Sequence, residues 1–283
     1  MNGILLLDKP TGISSFKAIY QVRKLLDIKK IGHCGTLDPL ATGMLPIMVN
    51  EATKYSQYII SSDKSYIVEM TLGFTSDTFD TEGKVVQHDE FNVDLKKIEE
   101  TLDQFRGEQE QLPPKYSALK VNGSRAYDLA RKGIEFELTK RKINIKKLTL
   151  LNLEKNVISL EVECSKGTYI RSLVHDIGQR LGCGAIMSRL HRQWVSPFNK
   201  NTMYPIDLIN ETKLIKIESI FKQSIQLNDK DILKIQFGQS VPFNQPITFN
   251  KNEPIAIHTM CNNFIGIGII ENNAIRAKRL LSN

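Results

Sequence analysis

Val157-Ile158-Ser159-Leu160-Glu161-Val162-Glu163-Cys164 alternates apolar and polar residues, and after Ser165-Lys166-Gly167 the period changes. A period of two is a strand with two distinct sides, here Ile158, Leu160, Val162 and Cys164 against Ser159, Glu161 and Glu163. From about Thr168 to Leu181 the apolar residues fall instead at Ile170, Leu173, Val174, Ile177 and Leu181, which predicts a helix with one buried stripe and Gly182 as its stop. Working outward, residues 143–152 read as a second alternating strand. So do the residues from Lys64, with Tyr66, Val68, Met70 and Leu72 on one face and Ile67, Glu69 and Thr71 on the other. Strands at 3–8 and 44–49 read as short buried runs.

Helices are predicted between these strands without strict alternation. Ser14 or Ser15 caps the first, whose stripe is Phe16, Ile19, Val22 and Leu26. A brief helix spans 51–61, and a third spans 94–106 with Leu95, Ile98, Leu102 and Phe105, stopped by Gly107. A polar loop runs from Gly73 to Gly83, and an amphipathic helix is expected around 210–222. The mixture predicts an α+β fold, a largely antiparallel sheet with flanking helices. A boundary falls near 225, giving units 1–225 and 226–283, the second a small all-β module ending in Phe264-Ile265-Gly266-Ile267-Gly268-Ile269-Ile270.

A chain of 283 residues with 41% apolar content can bury a sizeable core. No run approaches eighteen apolar residues, and Gly3-Ile4-Leu5-Leu6-Leu7-Asp8 is too short and too soon charged for a signal peptide. We expect a cytoplasmic protein with no membrane segment. Cys34, Cys164, Cys183 and Cys261 are scattered, with no C-x-x-C and no histidine at zinc-ligand spacing, so reduced thiols and no metal site are expected. The net charge of +7 points weakly to an anionic partner, and its distribution says more. Residues 112–142 carry eight basic and three acidic side chains, whereas 89–110 carry three and eight. The first block is a candidate polyanion contact and the second a solvated helix face.

The chemistry centres on Gly32-His33-Cys34-Gly35-Thr36-Leu37-Asp38-Pro39-Leu40-Ala41-Thr42-Gly43. Three glycines allow positive φ or close backbone approach, and Pro39 pushes Asp38 towards an extended conformation. An Asp-Pro step alone is an ordinary turn initiator. Arg171, however, adds positive charge to a helix N-terminus that is already positive, so a compensating anion is expected there. A buried carboxylate such as Asp38 suits a guanidinium, which grips both oxygens and favours ionisation. Tyr66 is either core filler or a platform on which a base stacks. His33 is a ligand, a general base or a space-filling polar group, and it lacks metal partners at helical spacing.

Together these blocks resemble the TruB family of tRNA pseudouridine synthases, over nearly the whole stretch from Leu5 to Phe198. The likeness rests on Leu7-Asp8-Lys9-Pro10-Thr11-Gly12-Ile13-Ser14-Ser15, the Asp38 loop, Lys64-Ser65-Tyr66, the Gly73 to Gly83 loop, Gln111 to Arg131, and Ser165-Lys166-Gly167-Thr168-Tyr169-Ile170-Arg171, in the family's order. The resemblance implies isomerisation of uridine 55 in the TΨC loop of tRNA to pseudouridine, with the base flipped out and with no cofactor, metal or energy source. It makes Asp38 the essential carboxylate, Arg171 its partner, Tyr66 the aromatic packed on the target base and His33 the residue that helps hold the flipped-out loop. Tyr169 and Lys9 match positions lining the pocket, and Leu190 a nearby apolar wall. The excursion from about 111 to 142 resembles a mobile thumb closing over the RNA arm, with Lys115, Lys120, Arg125, Arg131 and Lys132 as candidate RNA contacts. The tail from about 227 resembles a shortened PUA-like domain. Two positions depart from the family pattern: Cys34, and His191 within Arg189-Leu190-His191-Arg192.

Three alternatives compete. A non-catalytic RNA-binding or tRNA-folding protein would use the basic block but has no need of Asp38. A uracil-excising N-glycosylase would release free base, and a paired-carboxylate glycosidase needs a second acid that does not stand out near Asp38. We expect a monomer acting on the T-arm of tRNA.

Overall fold

The computed structural model describes residues 1–88, 91–243 and 253–282. β1 (Gly3–Lys9) leads into α1 (Ser15–Leu25), whose N-cap Ser14 has extended φ/ψ and a side chain that accepts from the Lys17 N–H. The buried face of α1 is Ser15, Ala18, Ile19 and Val22. Phe16, expected in the buried stripe, is 74% exposed. The helix turns its small residues inward, where Ser15 bonds to the backbone of Leu37 through its hydroxyl, both accepting from its N–H and donating to its carbonyl at 2.9 Å. A phenylalanine does not fit at such a close approach.

β2 (Ile31–His33) and β3 (Thr42–Val49) flank the Asp38 loop. A 3-10 turn at Asn50–Tyr55 and α2 (Ser56–Ile60) occupy the expected brief helix. β4 (Lys64–Leu72) has the predicted two faces, with Tyr66, Val68, Met70 and Leu72 all buried. The loop from Gly73 to Gly83 is more ordered than its polarity indicated: β5 (Phe74–Ser76) pairs with β6 (Val85–Gln87), and Asp80 bridges to Met187. α3 (Leu95–Gln104), capped by the Asp94 side chain, buries Ile98 and Leu102 but leaves Leu95 in solvent.

β7 (Gly107–Gln111) joins the main sheet, so the excursion begins only after Gln111. It holds a small hairpin, β8 (Lys120–Val121) with β9 (Ser124–Arg125), and the short α4 (Ala126–Arg131). β10 (Arg141–Glu154) and β11 (Val157–Cys164) return to the sheet, and α5 (Ile170–Leu181) ends at Gly182 with a left-handed φ of 83°. β12 (Ala185–Val195) then inserts between β3 and β4. The eight-stranded sheet runs β1-β3-β12-β4-β11-β10-β7, with β2 beside β3. Its pairings are antiparallel except where His191 and Arg192 run parallel to Thr42 and Gly43. Helices α1, α3 and α5 bury their stripes in the same apolar core as the sheet. Each large aliphatic side chain there contributes about 1.5–3 kcal/mol.

The helix expected at 210–222 is absent. Two 3-10 turns, Glu211–Lys213 and Ile217–Ile220, take its place, because Ile215 exchanges backbone hydrogen bonds with Ile4 on the edge strand β1, at 2.9 and 2.8 Å. Beyond them β13 (Gln223–Leu227), α6 (Asp229–Gln236), β14 (Val241–Pro242), β15 (Ile255–Thr259), β16 (Phe264–Glu271) and β17 (Ala274–Leu280) form a five-stranded sheet with its own core. This unit was expected to be all-β, but α6 is a helix capped by Asn228 and packed through Ile232 and Ile235. Tyr55, buried, packs edge-on to Phe221 and near Phe264, joining the second sheet to the first.

Candidate active site

The β1–α1 turn fixes the Asp38 loop from behind. Lys9, with no exposed surface, donates from Nζ to the carbonyls of Pro10 (2.7 Å), Ile13 (2.8 Å) and Pro39 (3.3 Å). Gly12 N–H donates to Pro39 and Thr11 Oγ1 to Leu40. Lys9 was expected to line the pocket. It lies instead beneath the loop and is not among the residues facing the Asp38 cleft. Burial lowers its pKa to about 8. On the other side Gly43, with φ +97°, lies so close to the Arg192 backbone that any Cβ would collide with it.

Arg171 stands in the first turn of α5. That turn is held by Gln111 at the end of β7, whose Oε1 accepts from the Tyr169 N–H (2.8 Å) and whose Nε2 donates to the Tyr169 carbonyl (3.1 Å). The guanidinium is nearly buried, and every one of its nitrogens has a partner. Nε pairs with Asp38 Oδ2 at 2.9 Å, and Nη2 donates to Asp38 Oδ1 at 3.2 Å and to the Tyr116 carbonyl at 2.9 Å. Nη1 donates to the Thr78 carbonyl at 3.0 Å, and Nε also lies 3.6 Å from Asp80 Oδ2. The compensating anion that the helix dipole called for is therefore two carboxylates.

Asp80 escaped the sequence reading. It sits in the Gly73 to Gly83 loop with a side chain only 3% exposed, and its Oδ1 accepts from Thr78 Oγ1 and the Glu82 N–H. Loop polarity gave no sign of which of its acids would turn inward. Phe79 beside it adopts a left-handed φ of 64° and stacks on His175, with ring centroids 4.0 Å apart. The Phe79 carbonyl accepts from the Met187 N–H, so the loop is pinned to β12.

The Asp38 side chain is 32% exposed in a cleft of about 800 Å³, which Tyr66, Tyr169, Leu190 and Arg131 also line. Burial pushes the Asp38 carboxyl above its ordinary pKa, Arg171 pulls it back, and the nearby Asp80 raises it further. Net, burial and like charge exceed the guanidinium's pull, so the shift is upward where the pair alone would have made it downward. Tyr66 is nearly buried and burial raises its phenol, so it presents a ring and not a phenolate. Behind it Arg192, fully buried, donates to the carbonyls of Met44 (2.7 Å) and Gly35 (3.0 Å) and ties β12 to the Asp38 loop.

Along β12, Leu190 and Arg192 face the Asp38 cleft while His191 points the other way, its Nδ1 2.9 Å from Thr42 Oγ1. The histidine that departs from the family pattern is thus outside the pocket. His33, at the end of β2, does not line the cleft either. It is half-buried, its Nδ1 has no hydrogen-bond partner among the described residues, and burial lowers its pKa. Lys115, Lys120, Arg125, Arg131 and Lys132 are all exposed, and none forms an ion pair among the described residues. Of these Arg131 alone reaches the cleft, its guanidinium 5.8 Å from the centre of the Tyr127 ring. Tyr116 and Tyr127 also line it, and neither was singled out from the sequence. Among the described residues no three His, Cys, Asp or Glu side chains are grouped as metal ligands.

Three family descriptions match nearly the whole chain: TruB family pseudouridylate synthase (N terminal domain) over residues 23–170, tRNA pseudouridylate synthase B C-terminal domain over 171–228, and Pseudouridine synthase II TruB, C-terminal, over 224–281. A Clostridium kluyveri protein named tRNA pseudouridine synthase B is 42% identical over 276 residues, covering 95% of this chain and 96% of that one. One of the same name from Clostridioides difficile is 42% identical, covering 98% of each. Among solved structures, an H/ACA RNP bound to a substrate RNA containing 2'-deoxyuridine holds a chain similar to this one with a TM-score of 0.74 at 23% identity, covering 99% of this chain and 85% of that chain. A Cbf5-Nop10-Gar1 complex gives a TM-score of 0.74 at 24% identity, over 98% and 84%. These two likenesses bear on the fold alone.

Proposed function

The chain belongs to the TruB family of pseudouridine synthases, and we propose on that premise that it converts uridine 55 in the TΨC loop of tRNA to pseudouridine. As a pseudouridine synthase it is an isomerase. The bond from N1 of uracil to C1′ breaks, C5 joins C1′, and no group is gained or lost. The relatives' name supports tRNA as the substrate. Position 55 and extrusion of the base are our reading.

One observation carries it. Asp38 is recessed in a cleft with both oxygens held by Arg171, and the Tyr66 ring lines the same cleft. A base stacked inside a folded loop cannot approach such a carboxylate. It must be turned out, at a cost of a few kcal/mol, offset in part by stacking worth about 1–3 kcal/mol on Tyr66. Ionised Asp38 then acts at C1′ or C6 as nucleophile, or removes the C2′ proton, and each route requires a carboxylate.

In this reading Tyr169 and Leu190 wall the pocket, and His33, outside the cleft at the end of β2, helps hold the opened loop. Lys9 serves indirectly by fixing the Pro39 backbone. The excursion after Gln111 closes on the RNA arm, its five cations meeting phosphates. The boundary expected near 225 moves to the start of β13, whose Gln223–Leu227 pair with β15; in this reading the residues before it are the catalytic domain, those from it onward a short PUA-like unit, and the protein acts as a monomer.

Position-resolved mapping of a tRNA transcript tests the assignment. Pseudouridine at position 55, with none formed when that position is cytidine, is the expected result. Release of free uracil would identify an N-glycosylase and overturn it, and binding without any product would favour the RNA-binding protein.

A further inference from the structure

The helix beside the catalytic loop has an outward face that the proposed chemistry does not use. Phe16 is 74% exposed and Tyr20 58%, and neither ring contacts another ring among the described residues. At i and i+4 the two share one row of α1, which Lys24 extends at i+8. Large aromatic side chains this open on a helix are not explained by packing, since the opposite face already fills the core.

The surroundings carry one sign of charge. From Thr11 to Lys30 there are five basic side chains and one acidic. Lys17 and Lys24 are exposed and without ion pairs among the described residues, whereas Arg23 turns back to donate to the Ile28 carbonyl. The helix is tied to the Asp38 loop through its inner side, where buried Ser15, next to Phe16 in sequence, is bonded to Leu37, the neighbour of Asp38. Lys24, with Gln21 and Leu25 of the adjacent row, lines an open cleft of about 1060 Å³.

Aromatic rings interleaved with unpaired cations, on a helix bonded to the Asp38 loop, fit nucleotides and not an apolar protein surface. We propose that this outward face of α1 is a second RNA contact surface, on which unpaired bases flanking the target stack on Phe16 and Tyr20 while Lys17 and Lys24 meet their phosphates. The proposal rests on the function inferred above and extends the RNA footprint to the far side of the Asp38 loop.

The test compares wild-type protein with Phe16→Ala/Tyr20→Ala and Lys17→Gln/Lys24→Gln on a full-length tRNA transcript, measuring binding, its salt dependence and single-turnover product formation at saturating RNA. The aromatic double variant should raise Kd about tenfold or more. Its rate at saturation should stay within about twofold, and Phe16→Trp/Tyr20→Phe should restore binding. The lysine pair should reduce the slope of log K against log salt by about 1.4–1.8. Unchanged Kd and slope in variants that melt as the wild type does would overturn the proposal, as would altered self-association without a change in RNA affinity. Because binding is read separately from product, a wild type that binds tRNA but makes no pseudouridine would sink the proposed reaction while the surface could still be judged.

Discussion

Arg171 holds Asp38 with two nitrogens, Nε on Oδ2 at 2.9 Å and Nη2 on Oδ1 at 3.2 Å, from a helix turn that is itself electropositive. The same guanidinium takes the carbonyls of Thr78 and Tyr116 and lies near Asp80, so one side chain joins the Asp38 loop, the Gly73 to Gly83 loop and the basic excursion. Geometry at the carboxylate and closure around it therefore depend on one another.

Removing the guanidinium leaves the Asp38 and Asp80 carboxylates near one another with no cation between them, Asp80 keeping only its Thr78 and Glu82 donors. Arg171→Ala should lower unfolding free energy by about 3 kcal/mol, at the low end for a broken buried pair because Asp38 is partly open to water. Arg171→Lys keeps the charge but not the fork. It should recover much of the stability and little of the activity. Urea unfolding alongside single-turnover rates would separate the two effects.

The acid side of the pH profile should lie above that of an ordinary aspartate. The proposed reaction uses ionised Asp38, and burial, opposed by Arg171 and aided by Asp80, raises its pKa. Activity is thus lost as pH falls through a raised value. Asp80→Asn removes a negative neighbour and should move the acid limb of kcat/KM to lower pH, whatever it does to the maximal rate. A limb that shifts upward in this variant would contradict the assignment.

How much of this was legible in the sequence varied with how local the cause was. The two-faced β4 and β11 and the helix ended by Gly182 were readable because period and stop signals are local. The pairing of Asp38 with Arg171 was readable too, since a cation at a helix N-terminus calls for an anion. Phe16 misled because an aromatic reads as core until the close approach of Ser15 to Leu37 fixes the helix phase. The stretch 210–222 has a helical pattern, but the open edge of β1 captures Ile215 instead. Asp80 and Arg192 become visible only when distant loops meet.

Gly43→Ala should lower stability by about 2 kcal/mol or more. Its φ is +97° and a Cβ would press on the Arg192 backbone, so both strain and displacement of β12 follow. Thermal unfolding measures this, and activity should fall with it, because Arg192 anchors the Gly35 carbonyl.

Phosphate contacts in the excursion should appear in salt dependence. Lys120→Gln/Arg125→Gln should weaken tRNA binding and reduce the salt slope by about 1.4–1.8 without altering the fold, since both residues are exposed. An unchanged slope would remove these two residues from the RNA interface.

The central claim is tested most directly by pseudouridine formation in a minimal T-arm stem-loop, read by chemical labelling, with wild-type protein and Asp38→Asn side by side. The account predicts product from the wild type alone, with Asp38→Asn folded and still binding the RNA. Product from Asp38→Asn at a comparable rate would contradict it, because then the carboxylate held by Arg171 would not be the reacting group.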